Sequence, residues 1–405
     1  MNRSAGDLTS LLKQLEKSTD ESARGRVVDA IGRMGPRAMA AVPKLIGEFR
    51  RGIPATVIGW EVNYLVEGGA ALALSRIGPG AQAELLQGLN SSEASIRLRC
   101  LVTLTEMKPV DHRVEQALRS RVRNDSDGEV RAIACRGLGR IGHPNEEVSA
   151  TLAEALGDKE VRVRMHALGS LQRLGAQTEE VVAAVAIALQ DNTSSVRLEA
   201  ARTLGGIRPA RRQHASDVAK LLKADRVWER IAVACILGEM GPEAGAALGP
   251  LLDSIRSHDI YVVREATVAI RRIDPANDEV VRALLELADH SDPTVRCAGA
   301  SGLGALGADG LSGLRRALQD ADADVRVTAA SALIRLSDNR QDTVPVLVTG
   351  LEDGRRHVRY AAAVALGEAG PEARTAVPML RSLLHVGDEG MKSAVNKALL
   401  QIGRQ

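Results

Sequence analysis

At 405 residues, 45% of them hydrophobic and 26% charged, the chain has the apolar content of a folded, water-soluble protein and too much of it for a disordered one. Its 53 basic and 51 acidic side chains leave a formal charge of +2, which excludes long-range attraction to polyanions as an organising force. Only six residues are aromatic, so base-stacking platforms and aromatic cages have almost nothing to be built from.

In chain order, residues 1–19 read as an N-terminal capping helix whose apolar stripe is Leu8, Leu11, Leu12 and Leu15. The segment has no apolar core of the kind that directs export, and no apolar run elsewhere in the sequence is long enough to span a bilayer. From residue 20 to 404 one helix recurs. Taken as position zero, its starts are Ala23, Val66, Ile96, Val130, Val163, Val196, Glu229, Val262, Val295, Val325, Val358 and Met391, separated by 43, 30 and 34 residues and thereafter by 33 or 30. A fixed period of this length marks a stack of two-helix units, none of which can bury its apolar face alone. The prediction is an all-α protein, an α-solenoid (α-α superhelix) of about twelve repeats, forming a single array over 1–405 with no internal domain boundary.

The first interval is the lengthened one. Residues 50–65 lie within FRRGIPATVIGWEVNYLV, which holds three of the six aromatics, Phe49, Trp60 and Tyr64. Inserts in solenoids project from one face and often recognise a partner, so Trp60 and Tyr64 are candidate contacts; the competing reading has Val57, Ile58, Trp60 and Val62 extend a helix and cap the core.

Within each unit a shorter amphipathic helix A, such as the one ending at Asp158 or Asp191, leads through a tight Asp-containing turn into the recurrent helix B. Apolar residues at positions 0, 4, 8 and 11 form the buried stripe of helix B. Position 8 is Leu or Ile in all twelve units, from Ile31 to Leu399, and position 4 is small, as at Ala134, Ala200 and Gly299, to let neighbouring layers approach. Position 12 is Gly in eight units, where a left-handed residue ends the helix, and Pro follows Gly35, Gly78, Gly241 and Gly370. The turn Asp caps helix B, and the Arg at position 1 (Arg131, Arg164, Arg197, Arg230, Arg296, Arg326, Arg359) pairs with acidic groups as a ladder between units. Position 10 lies on an exposed flank of helix B and is Arg in six units: Arg33, Arg76, Arg140, Arg173, Arg272 and Arg335. Equivalent residues stand about 10 Å apart, near one Debye length, so the row is either a solvated face or a docking edge for an acidic protein segment.

Other constellations are weak. Cys100, Cys135, Cys235 and Cys297 form no CxxC pair and read as reduced packing residues of a cytoplasmic protein. No Walker loop, GxSxG elbow or HExxH motif is present, and the GLGRIG at 137–142 ends a helix rather than following a strand. The basic run Arg208, Arg211, Arg212 and His214 is placed in an inter-repeat turn, and His166 is taken as an ordinary solvated histidine.

The motif VRxxAxxxLGxxG with Asp just upstream, as in VRAIACRGLGRIG from Val130, resembles the HEAT-like repeats first described in phycobilisome lyases, over residues 20 to 404. That resemblance implies the solenoid fold but not one activity, because similar repeats serve scaffolds, bilin lyases and deoxyhypusine hydroxylases. The hydroxylases carry His-Glu dipeptides that bind iron, and none of the eight histidines here is followed by Glu. A bilin site calls for aromatic walls this chain lacks. The resulting expectation is a non-catalytic scaffold, with no cofactor and no metal, that binds a protein rather than nucleic acid or membrane along the concave face formed by the B helices. An enzyme or chromophore-handling role of the lyase or hydroxylase type is the alternative.

Overall fold

The computed structural model describes residues 3–51, 69–107, 109, 112–142, 145–257, 259–336, 340–386 and 388–403. Among them every regular element is a helix, so the α-solenoid expected from the period is the fold. The chain falls into two compact units, 1–207 and 208–405. Trp60 and Tyr64, and with them most of the lengthened interval, lie outside the described residues.

The B helices begin and end where the residue chemistry dictates. In Gly128–Ile141, Asp127 accepts the backbone N–H groups of Glu129 and Val130 at 2.9 and 3.0 Å, satisfying donors that have no partner inside the helix. Asp20, Asp259, Asp292, Asp322 and Asp388 cap five other B helices in the same way. At the far end Gly142 and Gly175 take φ of 75° and 63°, which a side chain would oppose. Seven of the eight position-12 glycines have positive φ; Gly403, at −80°, does not. Where Pro follows, the chain runs through a short 3-10 segment, such as Gly241–Ala247, into the next A helix.

Such a break divides one stretch whose length and composition depart from the reading of the chain as free of membrane-length apolar runs. Residues 227–255 are long and apolar enough by composition, yet Gly241 at φ 68° divides them into helices Val227–Met240 and Leu248–Ile255 joined by the 3-10 segment, with their apolar faces in the repeat core.

Position 8 forms the spine of each unit. Ile31, Leu74, Leu104, Leu171, Leu204, Leu237, Ile270, Leu303, Leu333 and Leu366 are fully buried and Leu138 nearly so, whereas Leu399 in the last helix is half-buried. Close approaches are made at two positions: at position 4 a Cβ on Gly299 would stand 2.6 Å from the backbone nitrogen of Ala288 in helix A, and at position 9 the B helix meets the next one. A Cβ on Gly32 would stand 2.7 Å from the Cα of Ala73, one on Gly139 2.5 Å from the Ser170 hydroxyl, and one on Gly304 2.8 Å from the Ala332 methyl. These are glycines at position 9 pressed against small residues at position 7 of the next unit, which is how helices with large Leu knobs on the adjacent face can still pack tightly. At the N-terminus, the helix Arg3–Lys17 buries Leu8 and Leu15 as a cap should, while Leu11 and Leu12 are half-buried.

Candidate functional site

The turn from A to B contains two polar positions with separate tasks. In Asp125-Ser126-Asp127 the second Asp caps helix B, and the first accepts the N–H two residues on at 3.0 Å and receives a guanidinium from the preceding unit. The position-1 arginines supply it. Arg131 directs Nη1 to the carbonyl oxygens of Asp125 and Ser126 in its own turn, while Nε and Nη2 hold both oxygens of Asp158, one turn further along, at 2.6 and 2.8 Å. Arg97 holds Asp125 at 2.8 and 2.6 Å, Arg164 holds Asp191 at 2.7 and 2.9 Å, and Arg296 holds Asp320 at 2.8 and 2.9 Å. Burial pushes Asp125, Asp158 and Asp191 up, but the guanidinium hydrogen bonds and the turn N–H outweigh it, so each carboxyl sits below its ordinary value. The recurrent Asp and Arg are therefore a ladder that ties units together.

What the ladder leaves outside is the exposed flank of the B helices. All six position-10 arginines are exposed, and four are paired: Arg33 and Arg76 both with Asp29 at 2.6 Å, Arg140 with Glu106 at 2.7 Å, and Arg335 more loosely with Glu368 at 3.8 Å. Arg173 and Arg272 have no ion pair among the described residues. The row is thus not one basic edge; its charge survives mainly around Arg173.

There the structure brings together residues that the sequence reading left apart. His166 is half-buried, and burial together with the charges of Arg136, Arg162 and Arg173 pushes its imidazole down to about 4, which corrects its reading as a solvated histidine. Burial, Arg140 and Arg173 likewise pull the Arg136 guanidinium below its ordinary value. Arg162 is paired with Glu129 at 2.7 Å and Arg140 with Glu106, while Arg136 and Arg173 have no carboxylate partner among the described residues. The signal was present in the register: at roughly 100° per residue, positions −1, 3, 6 and 10 share one flank of helix B, and Arg162, His166, Arg136 and Arg173 occupy them in adjacent units.

The other sequence candidates fall elsewhere. Arg208, Arg211, Arg212 and His214 are the first turns of helix Arg208–Lys220, not a turn between repeats; Arg211 faces Glu243 at 3.6 Å, and His214 is buried beside Asp217. Phe49 belongs to the core, with the half-buried Arg99 lying 6.0 Å over its ring. The four cysteines are free, and burial pushes the thiols of Cys100 and Cys297 up to about 12. Among the described residues no group of His, Cys, Asp and Glu is placed to hold a metal ion.

Helical hairpins stacked by an Arg-Asp ladder, with a polar B-helix flank left over, define a helical-repeat solenoid. A family model for HEAT repeats matches residues 115–205, 248–333 and 311–400, more than half of the chain, and the chain belongs to the HEAT-repeat family. What matches is the HEAT repeat as such, with nothing that singles out the phycobilisome-lyase type. Among curated proteins, none matches the chain in sequence. Among solved structures it is similar to the karyopherin Kap121p bound to Pho4p, with a TM-score of 0.64, 14% identity, and coverage of 99% of this chain and 50% of that one. It is similar too to Kap121p bound to the extreme C-terminus of the protein phosphatase Cdc14p, with a TM-score of 0.63, 14% identity, and coverage of 98% and 50%. The chain thus spans about half the length of these neighbours, and at such identity the likeness is one of fold.

Proposed function

We propose that the chain is a non-catalytic protein-interaction scaffold, and that the B-helix flank around His166 docks an acidic segment of its protein partner. The observation that carries this reading is the convergence of Arg136, Arg162 and Arg173 on one half-buried imidazole, with Arg140 acting in turn on Arg136, and Arg136 and Arg173 having no carboxylate partner among the described residues. Like charges gathered on an exposed flank cost stability unless a counter-charge arrives, and a flexible Asp- or Glu-rich segment supplies one. The neighbours in fold are themselves recorded with bound proteins, Pho4p and the Cdc14p C-terminus, which supports a protein as partner. We take the repeats as one partner-binding array. The free cysteines fit a reducing setting, so we place the chain in the cytoplasm.

The test is binding of a fluorescent hexaglutamate peptide to the full chain, compared with Arg136→Glu/Arg173→Glu. Saturable binding that the double reversal weakens by tenfold or more is the expected result. Arg173→Ala serves as a control for folding: it removes an exposed side chain and should move stability by no more than about 0.5 kcal/mol. Equal retention of the peptide by both proteins would exclude the His166 flank as the docking edge.

A further inference from the structure

At Arg230 the open ladder borders a space large enough for a ligand. In several A-to-B turns the first polar position accepts the backbone N–H two residues on: Asp125 from Asp127, Asp158 from Glu160, Asp191 from Thr193 and Asp320 from Asp322, with Ser91 and His290 doing so without a carboxylate. Ser257 does the same, its hydroxyl oxygen accepting the N–H of Asp259 at 3.2 Å, so it occupies the rung position with no carboxylate to offer. The arginine that faces this position is Arg230. Its Nη1 donates to the carbonyl oxygens of Ala224 and Asp225 at 2.8 and 3.0 Å, as the other ladder arginines do in their own turns, while its Nε and Nη2 have no acceptor among the described residues.

That free edge belongs to a guanidinium bordering a cavity of about 350 Å³, a size in the range of small-ligand sites, whose lining includes Lys220, Lys223, Ser254 and Ser257. Lys220 is held by Asp217 at 2.8 Å, and Asp253, the only carboxylate on the described lining, lies 3.4 Å from Arg256. Three cations therefore border the cavity against one carboxylate that already has a neighbour of opposite charge. The Ser257 hydroxyl, which accepts from Asp259, keeps its own proton to donate.

We propose that this cavity binds a carboxylate ligand, seated on Nε and Nη2 of Arg230 as an Asp side chain is seated on Arg97, Arg131, Arg164 and Arg296. The planar fork matches two coplanar oxygens, Lys223 supplies a second charge, and Ser257 a hydrogen bond. The carboxylate comes from a small di- or tricarboxylate or from an acidic side chain of a bound polypeptide, and this site stands apart from the flank around His166.

The experiment is calorimetric titration of the full chain at constant ionic strength with citrate, with capped hexaglutamate and with inorganic phosphate, followed in parallel by the emission of Trp228, which is exposed two residues before Arg230. Saturable binding of citrate, or of the peptide to the Arg136→Glu/Arg173→Glu chain in which the other flank is disabled, is expected, and which of them binds identifies the source. Ser257→Asp places the missing carboxylate on the rung; it should weaken that binding by tenfold or more, as loss of a bidentate charge-assisted contact does, while holding or raising the melting temperature. Arg230→Gln should weaken it similarly, and Arg136→Glu/Arg173→Glu should leave citrate binding unchanged. Absence of saturable binding by either carboxylate, binding unaffected by Ser257→Asp, or phosphate binding as tightly as citrate would each overturn the proposal.

Discussion

Residues 1–207 and 208–405 share one hairpin and use its polar positions differently. In the first unit four ladder arginines are closed by a carboxylate, Arg24 on Glu48, Arg97 on Asp125, Arg131 on Asp158 and Arg164 on Asp191. In the second unit, among the described residues, only Arg296 on Asp320 is closed; Arg230, Arg326 and Arg359 keep the half of the contact that caps turn carbonyls. The exposed flank diverges as well. At position −1 the first unit pairs Glu129 with Arg162, where the second presents Trp228 and Tyr261, 48% and 55% exposed. At position 6 Arg136 of the first unit is answered by Cys235, whose neighbour across the stack is Glu265 at 3.5 Å. A Leu spine and Gly-on-Ala contacts suffice to stack hairpins, so the ladder and the flank are free to differ between units.

The largest effect should be the one that does not distinguish the units. Leu204→Ala in the first and Leu333→Ala in the second both truncate fully buried side chains and should each cost about 2 to 5 kcal/mol, measured by urea unfolding. A loss in one unit under half that in the other would mean that the spine is not equivalent and would undo the comparison at its base.

The ladder should distinguish them. Arg131→Ala leaves Asp158 largely buried without its paired guanidinium and should cost about 3 kcal/mol. Arg230→Ala removes only hydrogen bonds to turn carbonyls and should cost about 1 kcal/mol. Acid should sharpen the contrast. Because Asp125, Asp158 and Asp191 are depressed in the folded chain, their contribution is complete above the ordinary carboxylate value of 3.8 and fades as pH falls below it. Hydrogen exchange mapped along the chain should therefore show protection failing first, below about pH 4, in the turns closed by those carboxylates and by Asp320, ahead of the turn at Ser257, which has no carboxylate on the rung. The Ser257 turn opening together with the closed ones would indicate that the rungs carry little of the stability.

How much of this was legible before the fold is instructive in its pattern. Whatever depends on one residue and its own helix could be read: the Leu at position 8, the glycines that turn left-handed, the Asp caps. What depends on the neighbouring unit could not. Position 4 was legible as a place of close approach, as Gly299 against Ala288 shows, but the contacts that Gly32, Gly139 and Gly304 make at position 9 with the next B helix were not, because the superposition of two helices decides which small residue meets which. His166 looked solvated although Arg162 and Arg173 lie on its own helix, because Arg136, which completes the set, is 30 residues away in sequence and on the preceding B helix. The basic run at Arg208 looked like a turn because charge hides helix periodicity within it, and the apolar residues that mark the buried side, Ala215, Val218 and Ala219, come mostly after it.

The smallest effect is also the one that tests the flank most directly. Burial and three arginines hold the His166 imidazole down to about 4, against an ordinary 6.5. A base depressed on folding contributes stability in full above 6.5 and loses it as pH falls toward 4, since the unfolded chain takes up a proton that the folded chain refuses. Wild type should therefore lose stability between pH 7.5 and 5, and His166→Gln should flatten that slope without changing the value at pH 7.5. An acidic segment docked on Arg136 and Arg173 would cancel part of the field, so the imidazole resonances of the complex should titrate at higher pH than those of the free chain. An imidazole titrating near 6.5 in the free chain would mean the guanidinia do not converge, and the charge difference between the two units would then lie in the ladder alone.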